Sequence, residues 1–137
     1  MTRFANSLEL PSSDAAEQER GATFRPGFGA DGLLTAVAVD DATGDILMLA
    51  HMDREALEAT LATGEAHYHS RSRGMLWKKG ETSGQVQTVR RILVDCDQDA
   101  LILRVDVGGD GGACHTGARS CFFRELTPGG TLTPAED

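Results

Sequence analysis

Several kinds of residue are scarce in this sequence of 137 residues, and each scarcity excludes a class of protein. Aromatic residues make up only 5%, so a core must be built mainly from Leu, Val, Ile and Ala. No apolar run reaches the roughly 18 residues of a membrane span, and the first twenty residues lack the apolar segment of a secretory signal. The three cysteines cannot all pair within one chain. We therefore expect a cytoplasmic protein with reduced thiols and no membrane partner.

Basic residues are also in deficit, since the formal net charge is -8. Such a balance argues against general attraction to nucleic acids or anionic membranes. The segment from Ala66 to Val94 is the exception, because it contains six basic residues and the single acid Glu81. This local surplus could bind phosphate groups.

The pattern along the chain predicts one domain of the α+β class, mainly antiparallel β with one short helix. We expect a flexible N-terminal arm at residues 1–25, the domain at 26–126 and a flexible tail at 127–137. A hairpin is predicted from Leu33–Val39 and Ile46–Ala50, and the helix at Arg54–Ala62 between Asp53 as N-cap and Gly64. Further strands are predicted at Ala66–Ser70, Val86–Val94, Ala100–Val107 and Cys121–Leu126.

Three carboxylates alternate with other residues in the segment DCDQD, residues 95–99, which we call the acidic turn. If this segment is extended, Asp95, Asp97 and Asp99 lie on one side and Cys96 on the other. Clustered carboxylates suit a hard cation such as Mg²⁺, whereas a thiolate suits a softer metal. The alternative is a solvated turn without metal, since Asp is common in turns. The glycine and distal Glu of a calcium-binding EF-hand loop are missing.

Two thiols and an imidazole occur together in CHTGARSC, residues 114–121, which we call the thiol segment. With Cys96, the residues Cys114 and Cys121 supply three thiolates, enough for a zinc site with a fourth position open to water. Their spacing does not match common structural zinc patterns. For any one of these cysteines taken alone, a buried, unreactive thiol is the better interpretation.

The segment SRSRGMLWKKGETSGQVQ, residues 70–87, combines basic, hydroxyl and glycine residues with the single Trp. Arg71 and Arg73 could bind phosphate bidentately, and Lys79 and Ser83 could add a charge and a hydroxyl donor. Trp77 could stack on a base, although a lone Trp is more often a core residue. The alternative for the whole segment is an exposed polar loop.

Taken together, the motifs WKKGETSG, DCDQD and CHTGARSC resemble those of the phosphoribosyl-AMP cyclohydrolases, in the same order and at similar spacing. With GLLTAVAVDDATGDILMLAHMDREALEATLATGEA the resemblance covers residues 32–123. It implies hydrolysis of the N1–C6 bond of N1-(5-phosphoribosyl)-AMP, giving the formimino-carboxamide ribonucleotide of histidine biosynthesis.

The resemblance also implies an intertwined homodimer whose zinc sites are shared between subunits. Its implied zinc ligands are Cys96, Cys114 and Cys121, and its implied magnesium ligands are Asp95, Asp97 and Asp99. The phosphorylated substrate assigns Arg71, Arg73, Trp77, Lys79 and Ser83 to binding. His115, next to a zinc ligand, is our candidate for proton transfer, and the alternative is a structural histidine.

His51 and His69 depart from the family pattern, and we expect them to be packing or surface residues. Two other functions have less support in the sequence. A nucleobase deaminase lacks its His-x-Glu and Pro-Cys-x-x-Cys motifs here. A non-catalytic interaction module stabilised by a closed Cys₃His zinc site would leave the basic segment without a role.

Overall fold

The computed structural model describes residue 4, residues 8–114 and residues 116–135. These residues form an α+β structure with two helices, α1 (Ala15–Arg20) and α2 (Arg54–Thr63). The strands are β1 (Leu34–Asp40), β2 (Ile46–Met52), β3 (His67–Ser70), β4 (Met75–Lys78), β5 (Gln87–Val94), β6 (Ala100–Val107), β7 (Arg124–Leu126) and β8 (Leu132–Pro134).

Six strands form one mostly antiparallel sheet in the order β4-β3-β2-β1-β6-β5. Its antiparallel pairs include three hairpins of consecutive strands, β1–β2, β3–β4 and β5–β6. The β1–β6 pair is parallel and joins the two halves of the sheet, with Thr35 opposite Ala100. Strands β7 and β8 pair only with each other.

The hydrophobic core lies on the face of the sheet that α2 covers. Alternation along each strand sends every second side chain to that face. The buried side chains of the three central strands and the helix include Leu34, Ala36, Ala38, Leu47, Met52, Leu101, Leu103, Val105, Ala56, Leu57 and Leu61. The opposite face of the central strands is less covered, and Leu49, Leu93 and Ile102 remain exposed there.

Helix α2 confirms the signals at both of its ends. The Asp53 carboxylate accepts a hydrogen bond from the Ala56 N–H at 2.8 Å. Gly64 follows the last helical residue with φ 74, a left-handed conformation that glycine adopts without strain. The β1–β2 hairpin and the predicted strands β5 and β6 are confirmed as well.

The expectation of one short helix is wrong, because α1 is a second one. Asp14 caps it by accepting from the Ala16 N–H, and the sequence AAEQER consists of good helix formers. No residue of α1 is buried, so it has no apolar periodicity that could have revealed it. The intertwined homodimer stays a prediction.

Two strands were missed, and one is shorter than predicted. Strand β4 lies inside the segment interpreted as a loop, after a tight turn in which Gly74 has φ 62. Strand β8 lies in the predicted tail, and β7 begins three residues later than predicted.

The division into arm, domain and tail stays a prediction. Among the described residues, no helix is long and apolar enough to cross a membrane.

Candidate active site

The structure places the thiols of Cys114 and Cys121 next to each other. The thiol segment turns back on itself, with the Gly117 N–H donating to the Cys114 carbonyl at 2.9 Å. The Cys121 N–H donates to the Leu47 carbonyl at 2.7 Å, which attaches the end of the segment to β2. Both thiols therefore face one site at the start of β2.

The two thiols differ in their chemistry. The Thr116 hydroxyl donates to the Cys114 sulfur at 3.0 Å, and this contact lowers the pKa of Cys114. Burial, together with the neighbouring Cys114, raises the pKa of Cys121 to about 11. The thiolate form is therefore favoured at Cys114 and disfavoured at Cys121. A soft cation that binds both sulfur atoms would hold both residues in the thiolate form.

Cys96 does not lie with the other two thiols in the same chain. It belongs to the acidic turn, where the Asp99 carbonyl accepts from the Thr35 N–H at the start of β1. The thiol segment contacts the other end of β1, because Arg119 binds Asp40. Thr35 and Asp40 are separated by about 17 Å at about 3.4 Å per strand residue. Zinc–sulfur bonds of about 2.3 Å cannot span that separation.

The acidic turn brings three carboxylates together, although not in the way the sequence suggested. Residues 95–99 form a turn and not an extended strand, so the expected alternation of sides is wrong. Oxygen atoms of Asp95, Asp97 and Asp99 nevertheless lie within 4.8 Å of one another. The turn arises because Asp95 Oδ1 accepts from the Asp99 and Ala100 N–H groups, at 3.0 and 3.1 Å.

Crowding of these carboxylates perturbs their protonation. Hydrogen bonding to Asp97 and Asp95 raises the pKa of Asp99 to about 6, whereas hydrogen bonding to Asp99 and Asp95 lowers the pKa of Asp97. Three mutually repelling oxygen donors on the surface form a set that fits a hard divalent cation.

A cleft of about 530 Å³ adjoins the thiol pair. Four of the five predicted substrate-binding residues line it, namely Arg73, Trp77, Lys79 and Ser83, and Cys114 lies at the same surface. Arg71 is not among the lining residues, and its charge acts on His51, whose pKa is lowered first by burial and then by Arg71. Most of residues 70–87 therefore line the cleft that Cys114 adjoins.

Lys79 and Trp77 are less exposed than a polar loop would suggest. Lys79 is only 8% exposed, and its ammonium lies 5.9 Å from the centroid of the Trp77 ring. Its charge also acts on Cys114 and Cys121. Trp77 packs on Tyr68 at 5.3 Å between ring centroids, so it is a core neighbour as well as a cleft residue.

His115, the predicted proton-transfer residue, lies outside the described residues. His51 and His69 are paired across β2 and β3, and His69 Nδ1 lies 3.2 Å from Asp53 Oδ2. Neither His51 nor His69 lines the cleft, although His69 is the cross-strand partner of the lining residue Leu76.

Sequence reasoning missed Arg119, which attaches the thiol segment to the β1–β2 turn. Its guanidinium donates to Asp40 and Asp45 carboxylates and to the Thr43 hydroxyl. The adjacent Ser120 hydroxyl donates to the Ile46 carbonyl at 2.8 Å. An Arg between two candidate metal ligands was the available signal, but its acidic partners lie more than seventy residues earlier.

Comparison with known proteins identifies the family of this chain. The family model described as phosphoribosyl-AMP cyclohydrolase matches residues 48–123. A protein of Chelativorans sp. named phosphoribosyl-AMP cyclohydrolase is 59% identical over 116 residues, which cover 85% of this chain and 84% of that protein. A Brucella abortus protein of the same name is 56% identical over 128 residues, covering 91% of this chain and 92% of its own length. With a family match over more than half of its residues and such relatives, the chain belongs to the phosphoribosyl-AMP cyclohydrolases.

Proposed function

We propose that this hydrolase of histidine biosynthesis opens the adenine ring of N1-(5-phosphoribosyl)-AMP at the N1–C6 bond, in active sites that each require two copies of the chain. The separation of Cys96 from Cys114 and Cys121 within one chain carries the two-copy part of the proposal. If all three thiolates bind one zinc ion, a second chain must supply at least one of them. A twofold dimer does this twice, giving two equivalent sites.

The donor atoms fit the two metals assigned to them. Cys114 and Cys121 would bind zinc together with Cys96 of the other copy, and the acidic turn would bind Mg²⁺. A zinc ion in such a site lowers the pKa of a bound water to roughly 7, which supplies a nucleophile at neutral pH. Free cysteines at all three positions are compatible with metal binding, and reduced thiols favour a cytoplasmic location.

The uncovered face of the sheet supports association of two chains. Leu49, Val37, Ile102 and Leu93 lie opposite one another across β2, β1, β6 and β5, and form one apolar row. The residues Leu49, Ile102 and Leu93 are 49%, 37% and 40% exposed. A contiguous apolar row on a sheet face favours burial against another surface, and we assign that surface to the second copy.

The β7–β8 hairpin supports the same conclusion. It contacts the rest of the sheet through no strand pairing, and a two-stranded hairpin alone is marginally stable in water. Phe122, Leu126 and Leu132 expose more than half of their surface. Because this hairpin directly follows Cys121, its packing on a partner would place the thiol segment at the interface.

The cleft supports the choice of a phosphorylated nucleotide. Its volume lies in the range of about 300–1,000 Å³ that is usual for small-molecule sites. Arg73, Lys79 and Ser83 would donate to phosphate oxygens, Arg71 would join them from the β3–β4 turn, and Trp77 would contact the base. Within the proposal, Mg²⁺ on the acidic turn offsets phosphate charge and His115 transfers the proton.

The interaction-module alternative has lost its support. A closed Cys₃His site within one chain requires Cys96 beside Cys114 and Cys121, and the strand geometry keeps them apart. Family membership in addition makes the chain an enzyme.

Co-expression of two inactive variants tests the shared site. Cys96→Ala and Cys114→Ala should each abolish turnover of N1-(5-phosphoribosyl)-AMP, measured by ultraviolet absorbance. In a mixed dimer, one site combines intact Cys96 from one chain with intact Cys114 from the other. Random pairing of equal amounts should therefore restore about a quarter of the unmodified activity.

The matched control is a pair of variants in the same ligand group. Cys114→Ala mixed with Cys121→Ala should recover nothing, because both losses fall on the same side of every site. Recovery in this control contradicts the grouping of Cys114 and Cys121 in one chain, and no recovery with Cys96→Ala and Cys114→Ala contradicts the shared site. Failure of the unmodified, zinc-loaded protein to turn over the substrate contradicts the proposed reaction itself.

A further inference from the structure

Gln98 has an unusual backbone for its residue type. Among the described residues it is the only non-glycine residue with a positive φ, at 61°. In this left-handed region the β-carbon of an ordinary residue approaches the carbonyl oxygen, and the conformation costs free energy that glycine does not incur. Strain of this kind persists only where the surroundings impose it, and it is concentrated at functional sites.

The surroundings that impose it belong to the N-terminal segment of residues 12–27. Gln98 is only 5% exposed, and both ends of its amide are bonded to that segment. Its Nε2 donates to the Gln18 carbonyl at 2.8 Å, and its Oε1 accepts from the Arg25 N–H at 2.7 Å. Glycine or asparagine would adopt the same backbone with less strain, but neither could make these two contacts.

Two hydrogen bonds to backbone carbonyls of the acidic turn complete the attachment. The Gly27 N–H donates to the Gln98 carbonyl at 2.7 Å, and the Gln18 side-chain Nε2 donates to the Asp97 carbonyl at 3.3 Å. A β-carbon on Gly27 would lie 3.3 Å from that same Asp97 oxygen, so glycine allows the close approach. Residues 12–27 are therefore bonded to the acidic turn at consecutive residues.

Gln98 also lies between two of the three clustered carboxylates. Its own N–H donates to the Asp95 carbonyl at 3.1 Å, which closes the turn. The left-handed φ at Gln98 is what returns the chain so that Asp99 comes back towards Asp95 and Asp97. Any change in this dihedral moves one carboxylate relative to the other two.

We propose that Gln98 is a positioning residue for the acidic turn, and that residues 12–27 act through it to set the affinity of the carboxylate cluster for a divalent cation. This inference rests on the cation binding that the proposed function assigns to the turn.

The test compares point variants of the full-length, zinc-loaded protein, with Mn²⁺ as the spectroscopic probe for the Mg²⁺ site. Gln98→Gly keeps the left-handed backbone available and removes only the side-chain contacts. It should weaken Mn²⁺ binding, measured by electron paramagnetic resonance, by about tenfold at unchanged stoichiometry, as is usual when groups supporting metal ligands are lost. Trypsin should also cleave faster after Arg20, because the segment is released.

Gln18→Ala tests the contribution of the attached segment without a substitution in the acidic turn, because Gln18 lies about eighty residues earlier in the chain. It should likewise weaken Mn²⁺ binding and speed cleavage. Ser13→Ala is the matched control, because no hydrogen bond joins that exposed hydroxyl to another of the described residues, and it should change neither. Asp97→Asn removes a ligand and should lower the number of Mn²⁺ ions bound without releasing the segment.

The outcomes distinguish the inference from the proposed function. If the unmodified protein binds Mn²⁺ and Gln98→Gly and Gln18→Ala bind it equally well, the positioning role is refuted while the cation site stands. If the unmodified protein binds no Mn²⁺ at the acidic turn, the cation site itself is removed from the proposed function, and the positioning role is refuted with it.

Discussion

Replacing Arg119 with Met should loosen the thiol segment without unfolding the domain. Met retains much of the aliphatic stem of Arg but none of its donors. The substitution removes the contacts with Asp45 at 2.8 Å, with Thr43 at 3.1 Å and with Asp40. Ser120 and Cys121 would still donate to the β2 carbonyls of Ile46 and Leu47.

The magnitude follows from the exposure of these groups. The Arg119 side chain is 47% exposed, so each ion pair is screened and contributes about 0.2–1 kcal/mol. At the lower end of the usual ranges, as suits exposed groups, two such pairs and one hydrogen bond from the charged guanidinium to the Thr43 hydroxyl together give about 1–2 kcal/mol. That free energy corresponds to an increase of about 5–30-fold in the population of the detached segment.

Hydrogen exchange of the Cys121 amide, followed by NMR, measures that population. The amide is protected by its bond to Leu47, so its exchange rate should rise by the same 5–30-fold, while amides of β6 keep their rates. Arg90→Met is the matched control, since it breaks an ion pair of similar exposure on β5 and β6. Unchanged exchange at Cys121 in Arg119→Met would refute the reasoning.

The same contact has a predictable pH dependence. Burial alone raises the pKa of Asp40, but the Ala42 N–H and the Arg119 guanidinium stabilise the carboxylate and hold its pKa below the ordinary 3.8. A lowered folded pKa means that the contribution is fully present above about pH 4 and is lost as the pH falls through the folded value. Protection of the Cys121 amide, corrected for intrinsic exchange, should therefore stay constant between about pH 7 and 5.

Three further predictions concern the core, the acidic turn and the exposed face. Tyr68→Phe leaves the buried Gln87 amide without its 2.6 Å partner and should cost about 1–3 kcal/mol in thermal unfolding at fixed protein concentration, whereas adding Gln87→Leu should restore part of the loss. Asp99→Asn should abolish the rise in melting temperature that Mg²⁺ gives the zinc-loaded protein, and an equal rise in both proteins would contradict a role for Asp99. Ile102→Asp should convert the proposed dimer to monomers in analytical ultracentrifugation, and a dimer of unchanged affinity would exclude the apolar row as the interface.

Local signals made much of the fold predictable. Helix α2 has a capping residue, apolar spacing and a terminal glycine within a dozen residues, and the β1–β2 hairpin has a turn between two apolar runs. The parallel pairing of β1 with β6 has no such signal, because it depends on contacts between distant segments. Strand β4 was missed because it has only four residues, which do not alternate between apolar and polar side chains and lie between polar neighbours.

In the candidate site, too, local features could be predicted from the sequence and long-range ones could not. The three carboxylates are close in sequence, so their convergence could be predicted even though the turn geometry was not. The separation of Cys96 from the other thiols follows from the strand order, which the spacing of cysteines does not contain. Arg119 was overlooked because its ion-pair partners, Asp40 and Asp45, lie more than seventy residues earlier in the chain.

The parallel β1–β6 pair also affects how the chain folds during synthesis. Thr35 is paired with Ala100, about 65 residues later, and at about 5–20 residues per second the ribosome needs several seconds to make that stretch. During this interval β1 has β2 on one side and an unpaired edge on the other, which is the type of edge that pairs with other chains. Closure of the sheet is a contact of high sequence separation, so we expect it to limit the folding rate. Nascent chains stalled before β6 should consequently be the species most prone to aggregate.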